Sequence, residues 1–230
     1  MIQILKDNSN IPVDYLSYIQ SKQFRKADVL SGKNRSLTGR EIFKAIKKKK
    51  EIFAQLKEKL LLDQGYICCY CNSRVELKNS TVEHLTPIDS DKSLVAEYEN
   101  LLIACNGGRD EKFVIGDSYP IFCDASRGSQ SLGFTPLDVD CWLAFQYSAT
   151  SGEITGKNQK AINLINTLNL DCTVLRSNRL NAFEILFDDN NKLLDLDDLE
   201  KIWVHFWEKD HDEKHEPYFY PILFCIYNLI

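Results

Sequence analysis

Apolar residues recur at helical spacing in the first part of the chain. Thr38 and Glu41 have the spacing of a capping box, which starts a helix. The apolar residues that follow at helical intervals are Ile42, Ile46, Phe53, Leu56 and Leu60. The pattern predicts one long helix over 38–62, an earlier helix over 13–24, a short strand over 3–5 and a polar loop over 31–36. Residues 1–64 are therefore expected to form a mostly helical layer.

The last part of the chain also has mainly helical patterning. Helices are predicted over 139–147, Gln159–Leu168 and 171–187, with a turn at Ser151 and Gly152. The apolar run 218–230 contains Pro221 and is shorter than the ~20 residues that span a bilayer, so it is expected to be buried in protein. We expect residues 136–230 to be mostly helical and to dock a partner.

The middle segment, residues 65–135, has short elements and cysteines instead of a long apolar period. Such a segment needs a metal or a surrounding scaffold, because it can bury little core of its own. Cys68 and Cys71 have C-x-x-C spacing, which lets two thiolates face one tetrahedral zinc ion. A redox pair or a chance spacing in a chain with eight cysteines also fits these two residues.

Two further cysteines of the middle segment, Cys105 and Cys123, would complete the simplest four-thiolate structural zinc site. Cys69 is expected to point elsewhere, because adjacent residues cannot both face one small ion without strain. The remaining cysteines lie in apolar contexts, where a free cysteine packs as a small hydrophobe. They are Cys141, Cys172 and Cys225.

A Glu-His pair follows the cysteines. Residues 82–85 alternate as a strand would, and Pro87 ends the strand. His84 could serve as a general base while Glu83, on the other face, binds a metal. A single His beside a Glu is also an ordinary surface pair.

Charge is unevenly distributed along the chain, whose formal net charge is −5. Residues 21–60 contain 13 Lys or Arg against 4 Asp or Glu, whereas residues 188–217 contain 4 against 11. The basic stretch is typical of a surface that binds a phosphate backbone, and it is equally compatible with a solvated helix face.

The acidic stretch also contains histidines and aromatic residues. His211 and His215 are four residues apart and could ligate a metal, but so polar a segment favours solvated surface. Its acidity suits a basic partner surface, with Trp203, Phe206 and Trp207 as anchors or as core.

The N-terminus has too few apolar residues for a secretory signal, so a cytoplasmic location is expected.

The order of these motifs resembles that of HNH, or ββα-metal, endonucleases. It runs C-x-x-C, then E-H-L-x-P, then E-N-L-L-x-x-C, then C-D-x-x-x-G, over 68–128. The resemblance implies a structural zinc on the cysteines, His84 as the base that activates water, and Asn100 as the residue that pins the loop after the first strand. It also implies a catalytic Mg²⁺ or Mn²⁺ bound by Glu83 and Asp124.

The chain departs from the family pattern in two places. Asp124 replaces the His or Asn common at the final position, and 17 residues separate Cys105 from Cys123 where many members have a second compact C-x-x-C.

That insertion, with the sequence after the core, is similar to a narrower branch, the PtuB-type HNH subunits of Septu and retron-associated anti-phage systems. This likeness implies an ABC or SMC-like ATPase partner of PtuA type, in some systems within a retron complex, and a DNA or tRNA substrate; no membrane association is expected. The residues expected to hold the nucleic acid are Arg40, Lys44, Lys47, Lys48, Lys50 and Arg127.

The expected fold is α+β, with a zinc-stabilised ββα-metal core over 65–135 embedded in a mostly helical scaffold. The expected function is hydrolysis of phosphodiester bonds. The alternative is a zinc-stabilised module that binds nucleic acid or a partner without cutting.

Overall fold

The computed structural model describes residues 3–21 and 37–228, and these form an α+β fold. The α-helices are α1 (Val13–Gln20), α2 (Gly39–Lys48), α3 (Lys50–Asp63), α4 (Arg109–Ile115), α5 (Asp124–Arg127), α6 (Gln159–Leu168), α7 (Thr173–Phe183), α8 (Leu196–Trp207) and α9 (Phe219–Tyr227). The strands are β1 (Ser80–His84), β2 (Leu101–Cys105), β3 (Phe145–Tyr147) and β4 (Ile154–Gly156). Turns of 3-10 helix cover Asn8–Asn10, Lys92–Leu94, Tyr98–Asn100, Cys141–Ala144 and Glu184–Leu186.

The main difference between the basic helical layer and its prediction is that the helix expected over 38–62 is broken at Lys49. The capping box is present, since the Thr38 side chain accepts from the Glu41 amide and the Glu41 carboxylate accepts from the Thr38 amide. Lys49, with φ −85° and ψ 75°, lies outside the helical region. The break turns α3 back on α2, so that Phe43 and Phe53 meet edge to face with ring centroids 5.9 Å apart. Apolar side chains of both helices thereby reach one core.

Two other predictions for this layer changed. No strand forms over 3–5; the Ile4 amide instead donates to the Pro136 carbonyl at 2.7 Å. The helix predicted over 13–24 is present as α1 and ends at Gln20, while 22–24 and the predicted loop over 31–36 lie outside the described residues.

Strands β1 and β2 form an antiparallel ribbon in which Ser80 pairs with Cys105 and His84 with Leu101. The strand predicted over 82–85 is thus confirmed as part of β1. All of β2 is buried, and the Gln64 side chain at the end of α3 bonds both the amide and the carbonyl of Ile103 on it. The helical layer therefore supports the ribbon from the edge opposite β1.

The C-terminal region confirms most of the helix predictions. Helix α6 matches the predicted range, with Asn158 accepting from the Ala161 amide at its start. Helix α7 and a 3-10 turn account for 171–187, and α9 is the buried element expected over 218–230. The prediction of a helix over 139–147 was wrong. This stretch forms a 3-10 turn followed by β3, because Phe145–Tyr147 pairs with Ile154–Gly156.

The main core contains residues from all three predicted regions, 1–64, 65–135 and 136–230. It joins Tyr15 and Leu60 of the helical layer, Leu102 of the ribbon, and Leu164 of α6. A second cluster holds α8 and α9 together around Phe219. In the described ranges, no helix combines the length and the apolar character needed to cross a bilayer.

Candidate metal centre and active site

Four cysteines come together as predicted. The sulfurs of Cys68, Cys71, Cys105 and Cys123 all lie within 4.8 Å of one another, and the four residues are buried. The Cys68–Cys123 and Cys71–Cys105 sulfur pairs are each 3.9 Å apart. A zinc ion with Zn–S bonds near 2.3 Å needs sulfurs about 3.8 Å apart in a tetrahedron. The cluster therefore has the donor set and the spacing to bind a metal ion such as zinc.

Backbone hydrogen bonds position the cysteines of the cluster. The Cys68 amide bonds the Ser73 carbonyl at 2.9 Å and the Asn72 amide returns to the Cys68 carbonyl at 3.1 Å, which closes a tight turn around the C-x-x-C pair. Asn72 adopts φ 62°, a conformation that Asn tolerates. Cys123, across the core, is held by its amide bond to the Leu168 carbonyl at 2.8 Å.

The pKa values of two thiols in the cluster are shifted in opposite directions. Burial raises the pKa of Cys123 well above its usual range, as expected for a thiol removed from water. Burial acts the same way on Cys68, but hydrogen bonds from the sulfurs of Cys105 and Cys123 outweigh it and hold the pKa of Cys68 well below its usual range.

The remaining cysteines lie outside the cluster, as predicted. Cys69 is buried, and its amide bonds the Ile103 carbonyl of β2 at 3.0 Å. Cys141 and Cys225 are buried in the core, and Cys172 is half-buried.

Glu83 and Asp124 lie close together on the other side of the ribbon. Oε1 of Glu83 accepts from the Tyr70 hydroxyl at 2.6 Å and forms an ion pair with Arg127. Burial raises the pKa of Glu83 to about 7; the charge of Arg127 opposes this rise, while the charge and a hydrogen bond of Asp124 add to it. The negative charge of Asp124 opposes ionisation of Glu83, and a cation bound to both carboxylates would offset that repulsion.

His84 is 6% exposed and lies within range of the charge of Asp124. Its Nε2 lies 3.1 Å from the Val95 carbonyl, so in the neutral ring Nε2–H donates and Nδ1 remains an acceptor. The Phe43 ring packs edge to face on it, with centroids 4.6 Å apart. Burial lowers the pKa of His84 to about 4, although the bond to Val95 acts the other way. The imidazole is therefore neutral at pH 7.

Asn100 ties together the loop that follows β1. Its Oδ1 accepts from the Thr86 amide at 2.7 Å, and its Nδ2 donates to the carbonyls of Thr86 at 3.2 Å and Leu94 at 3.1 Å. These bonds pin the loop next to His84, which is the place that the HNH resemblance implies for this residue.

The structure corrects one predicted nucleic-acid contact. Arg127 is 2% exposed, and its guanidinium bonds Glu83, the Tyr70 hydroxyl and the carbonyls of His84 and Leu85. The side chain is committed to the interior and does not reach a nucleic-acid backbone. Sequence reasoning placed it on the surface because arginines usually lie there.

The other predicted basic residues lie on the surface. Arg40 is exposed and forms an ion pair with Asp89 at 2.7 Å. Lys47 lies over the Phe43 ring, 5.1 Å from its centroid, and Phe43 is the residue that covers His84. The exposed lysines of this face are Lys44, Lys47, Lys48 and Lys50. The basic face is thus adjacent to the candidate active site.

Sequence reasoning missed Arg109, Thr81 and Tyr70. Oδ2 of Asp124 accepts from Arg109 Nη1 at 3.0 Å and Nη2 at 3.1 Å, and from the Thr81 hydroxyl at 3.3 Å. No local pattern marks these partners, because the 17-residue insertion after Cys105 brings Arg109 back to Asp124 only in the folded chain.

His211 and His215 of the acidic stretch differ from each other. His211 is exposed, as predicted. The prediction was wrong for His215, which stacks on Phe219 with ring centroids 4.2 Å apart and has a buried Nδ1. Burial lowers its pKa to about 4.

Comparison with known proteins adds no family: no protein-family model and no curated protein sequence matches the chain.

Proposed function

We propose that the chain is a metal-dependent endonuclease of the HNH type, in which His84 activates water for attack on a phosphodiester. The observation that carries the proposal is the ribbon geometry. Strand β1 carries Glu83 and His84 side by side, the charge of Asp124 acts on both, and Asn100 fixes the loop between the strands. A module that only binds would need none of these residues in this arrangement.

The proposed reaction uses a neutral imidazole. Nε2–H of His84 is held by the Val95 carbonyl, so Nδ1 can take a proton from water while the water oxygen forms a bond to phosphorus. The bond from phosphorus to the leaving sugar oxygen then breaks. Mg²⁺ or Mn²⁺ on Glu83 and Asp124 would neutralise the charge that develops on the phosphate and the leaving oxygen.

The proposed substrate is DNA or tRNA, held by the basic face of α2 and the start of α3. Contacts to phosphates fix the position of a nucleic acid without selecting its sequence. The four-cysteine cluster would hold zinc and keep the C-x-x-C turn, β2 and α5 in place.

The proposed partner is an ABC-type ATPase of an anti-phage complex, and the surface proposed for docking is α8. Three apolar residues of this acidic helix are exposed: Leu196 at 61%, Val204 at 53% and Trp207 at 61%. Trp203 is stacked on Trp207 with ring centroids 6.0 Å apart, whereas Phe206 is buried and belongs to the core. Exposed apolar residues among acidic ones suit a basic partner surface.

The experiment compares His84→Ala with His211→Ala, a matched change of an exposed histidine outside α8. Each chain is assembled with its ATPase partner and given DNA or tRNA with Mg²⁺ or Mn²⁺. We expect His84→Ala to lower the cleavage rate at least about 100-fold, because a general base contributes that much, with unchanged zinc content. Unchanged cleavage would reject His84 as the base. Binding without cleavage by the unaltered chain would favour the non-cleaving module.

A further inference from the structure

Two arginines bracket the Glu83–Asp124 pair. Arg127 pairs with Glu83, and Arg109 pairs with Asp124. Each carboxylate receives its arginine on one oxygen, Oε1 of Glu83 and Oδ2 of Asp124. The pair of carboxylates is thus balanced by two positive charges from the protein itself.

The two ion pairs differ in how firmly they are held. The Arg127 side chain is 1% exposed and has four further acceptors besides Glu83: the Tyr70 hydroxyl and the carbonyls of His84, Leu85 and Gln130. The Arg109 side chain is 48% exposed, and its other bond, to the Asn106 carbonyl, is 3.5 Å long. Ion pairs this exposed contribute little net free energy, so little separates the paired Arg109 from a solvated one.

The backbone that carries Arg109 is firmly placed even though its side chain is not. Gly107 and Gly108 precede it with φ of 65° and 78°. A Cβ on Gly107 would lie 2.2 Å from the Phe122 carbonyl oxygen, and one on Gly108 would lie 2.7 Å from the Pro120 carbonyl oxygen. The two glycines therefore let the start of the insertion pack against its end, just before Cys123. This packing holds the backbone of Arg109 beside Asp124.

We infer that Arg109 is an exchanging phosphate clamp, which neutralises Asp124 in the free protein and transfers its guanidinium to a phosphate when nucleic acid binds. The inference rests on the proposed function. When Arg109 leaves Asp124, a carboxylate oxygen of Asp124 becomes free for the divalent cation. The phosphate and the cation therefore arrive at the site together. A guanidinium suits this exchange because carboxylate and phosphate oxygens offer it the same fork geometry.

The test compares Arg109→Gln with Lys112→Gln, a change of equal charge one turn along α4. Lys112 is a fair control because it pairs with Asp117, which is fully exposed, away from the carboxylate pair. Binding of labelled duplex DNA and of tRNA is measured without divalent cations at several salt concentrations. Binding of Mn²⁺ is measured separately, without nucleic acid, by calorimetry.

For Arg109→Gln we expect nucleic-acid affinity to fall about tenfold at 0.1 M salt and the salt slope to drop by about one, as for loss of one phosphate contact. We expect Mn²⁺ affinity to rise, because the competitor for Asp124 has been removed. Lys112→Gln should leave Mn²⁺ affinity unchanged and lower nucleic-acid affinity less than Arg109→Gln does.

Two results separate the possible failures. If the unaltered chain binds both Mn²⁺ and nucleic acid and Arg109→Gln behaves like Lys112→Gln, or binds Mn²⁺ more weakly, the clamp is wrong and the proposed function stands. If the unaltered chain binds neither Mn²⁺ nor either nucleic acid, the proposed function fails and the clamp fails with it.

Discussion

The four-cysteine cluster and the Glu83–Asp124 pair are two polar clusters that each take one residue from the β1–β2 ribbon, Cys105 and Glu83, and they are completed differently. The sulfurs face one another at the spacing of a tetrahedral ion, and no positively charged side chain contributes to the ligand set. The carboxylates are already neutralised by Arg127 and Arg109. The first arrangement could bind a metal ion such as zinc, whereas each carboxylate of the second already has an arginine as its partner.

The largest expected effect is the loss of the sulfur cluster. Cys68→Ser should abolish zinc binding and destabilise the fold by about 5 kcal/mol or more, since binding a structural zinc contributes on the order of 10 kcal/mol. Metal analysis and urea unfolding of the purified chain measure both. Cys172→Ser, at a half-buried cysteine outside the cluster, is the control and should keep the metal. A variant that stays folded without metal would contradict the structural role.

The second prediction concerns the two arginines. Arg127→Gln should destabilise the fold by about 3 kcal/mol, because it leaves Glu83 buried without its ion pair. Arg109→Gln, at a half-exposed pair, should cost less than about 1 kcal/mol. Urea unfolding of the zinc-loaded variants gives the comparison, and equal losses would show that the two pairs do not differ as described.

Some of this contrast could be predicted from the sequence. The C-x-x-C pair and the Glu-His strand are local patterns, and Cys105 and Cys123 were the remaining cysteines in the same segment. The buried role of Arg127 could not be predicted, because its acceptors come from β1, the following loop and Tyr70. The error over 139–147 has a similar origin: a short apolar run fits a helix or a strand, and only pairing with β4 decides between them.

The effect that is expected to be smallest at neutral pH is a pH dependence outside both clusters. Burial, followed by the charges of Lys209 and Arg74, lowers the pKa of His215 from 6.5 to about 4. The unfolded chain then binds the proton more readily, so this residue costs no stability above pH 6.5 and an increasing amount as pH falls toward 4.

His215→Phe should remove that part of the pH dependence. The stability of the variant relative to the unaltered chain should rise as pH falls from 6.5 to 4 and stay constant above 6.5. Thermal unfolding of both zinc-loaded chains measures the difference. A constant difference over the whole range would mean that His215 does not titrate on unfolding.

The most direct test of the account is a count of metal ions in two variants, because its central claim is that one ribbon carries two separate metal sites. Zinc retained after dialysis and Mn²⁺ bound on titration are measured for the unaltered chain, Cys105→Ser and Glu83→Gln. We expect about one zinc in the unaltered chain, its loss in Cys105→Ser, and in Glu83→Gln retained zinc with Mn²⁺ binding weakened at least about tenfold. Loss of zinc in Glu83→Gln, or Mn²⁺ binding that does not depend on Glu83, would contradict the claim.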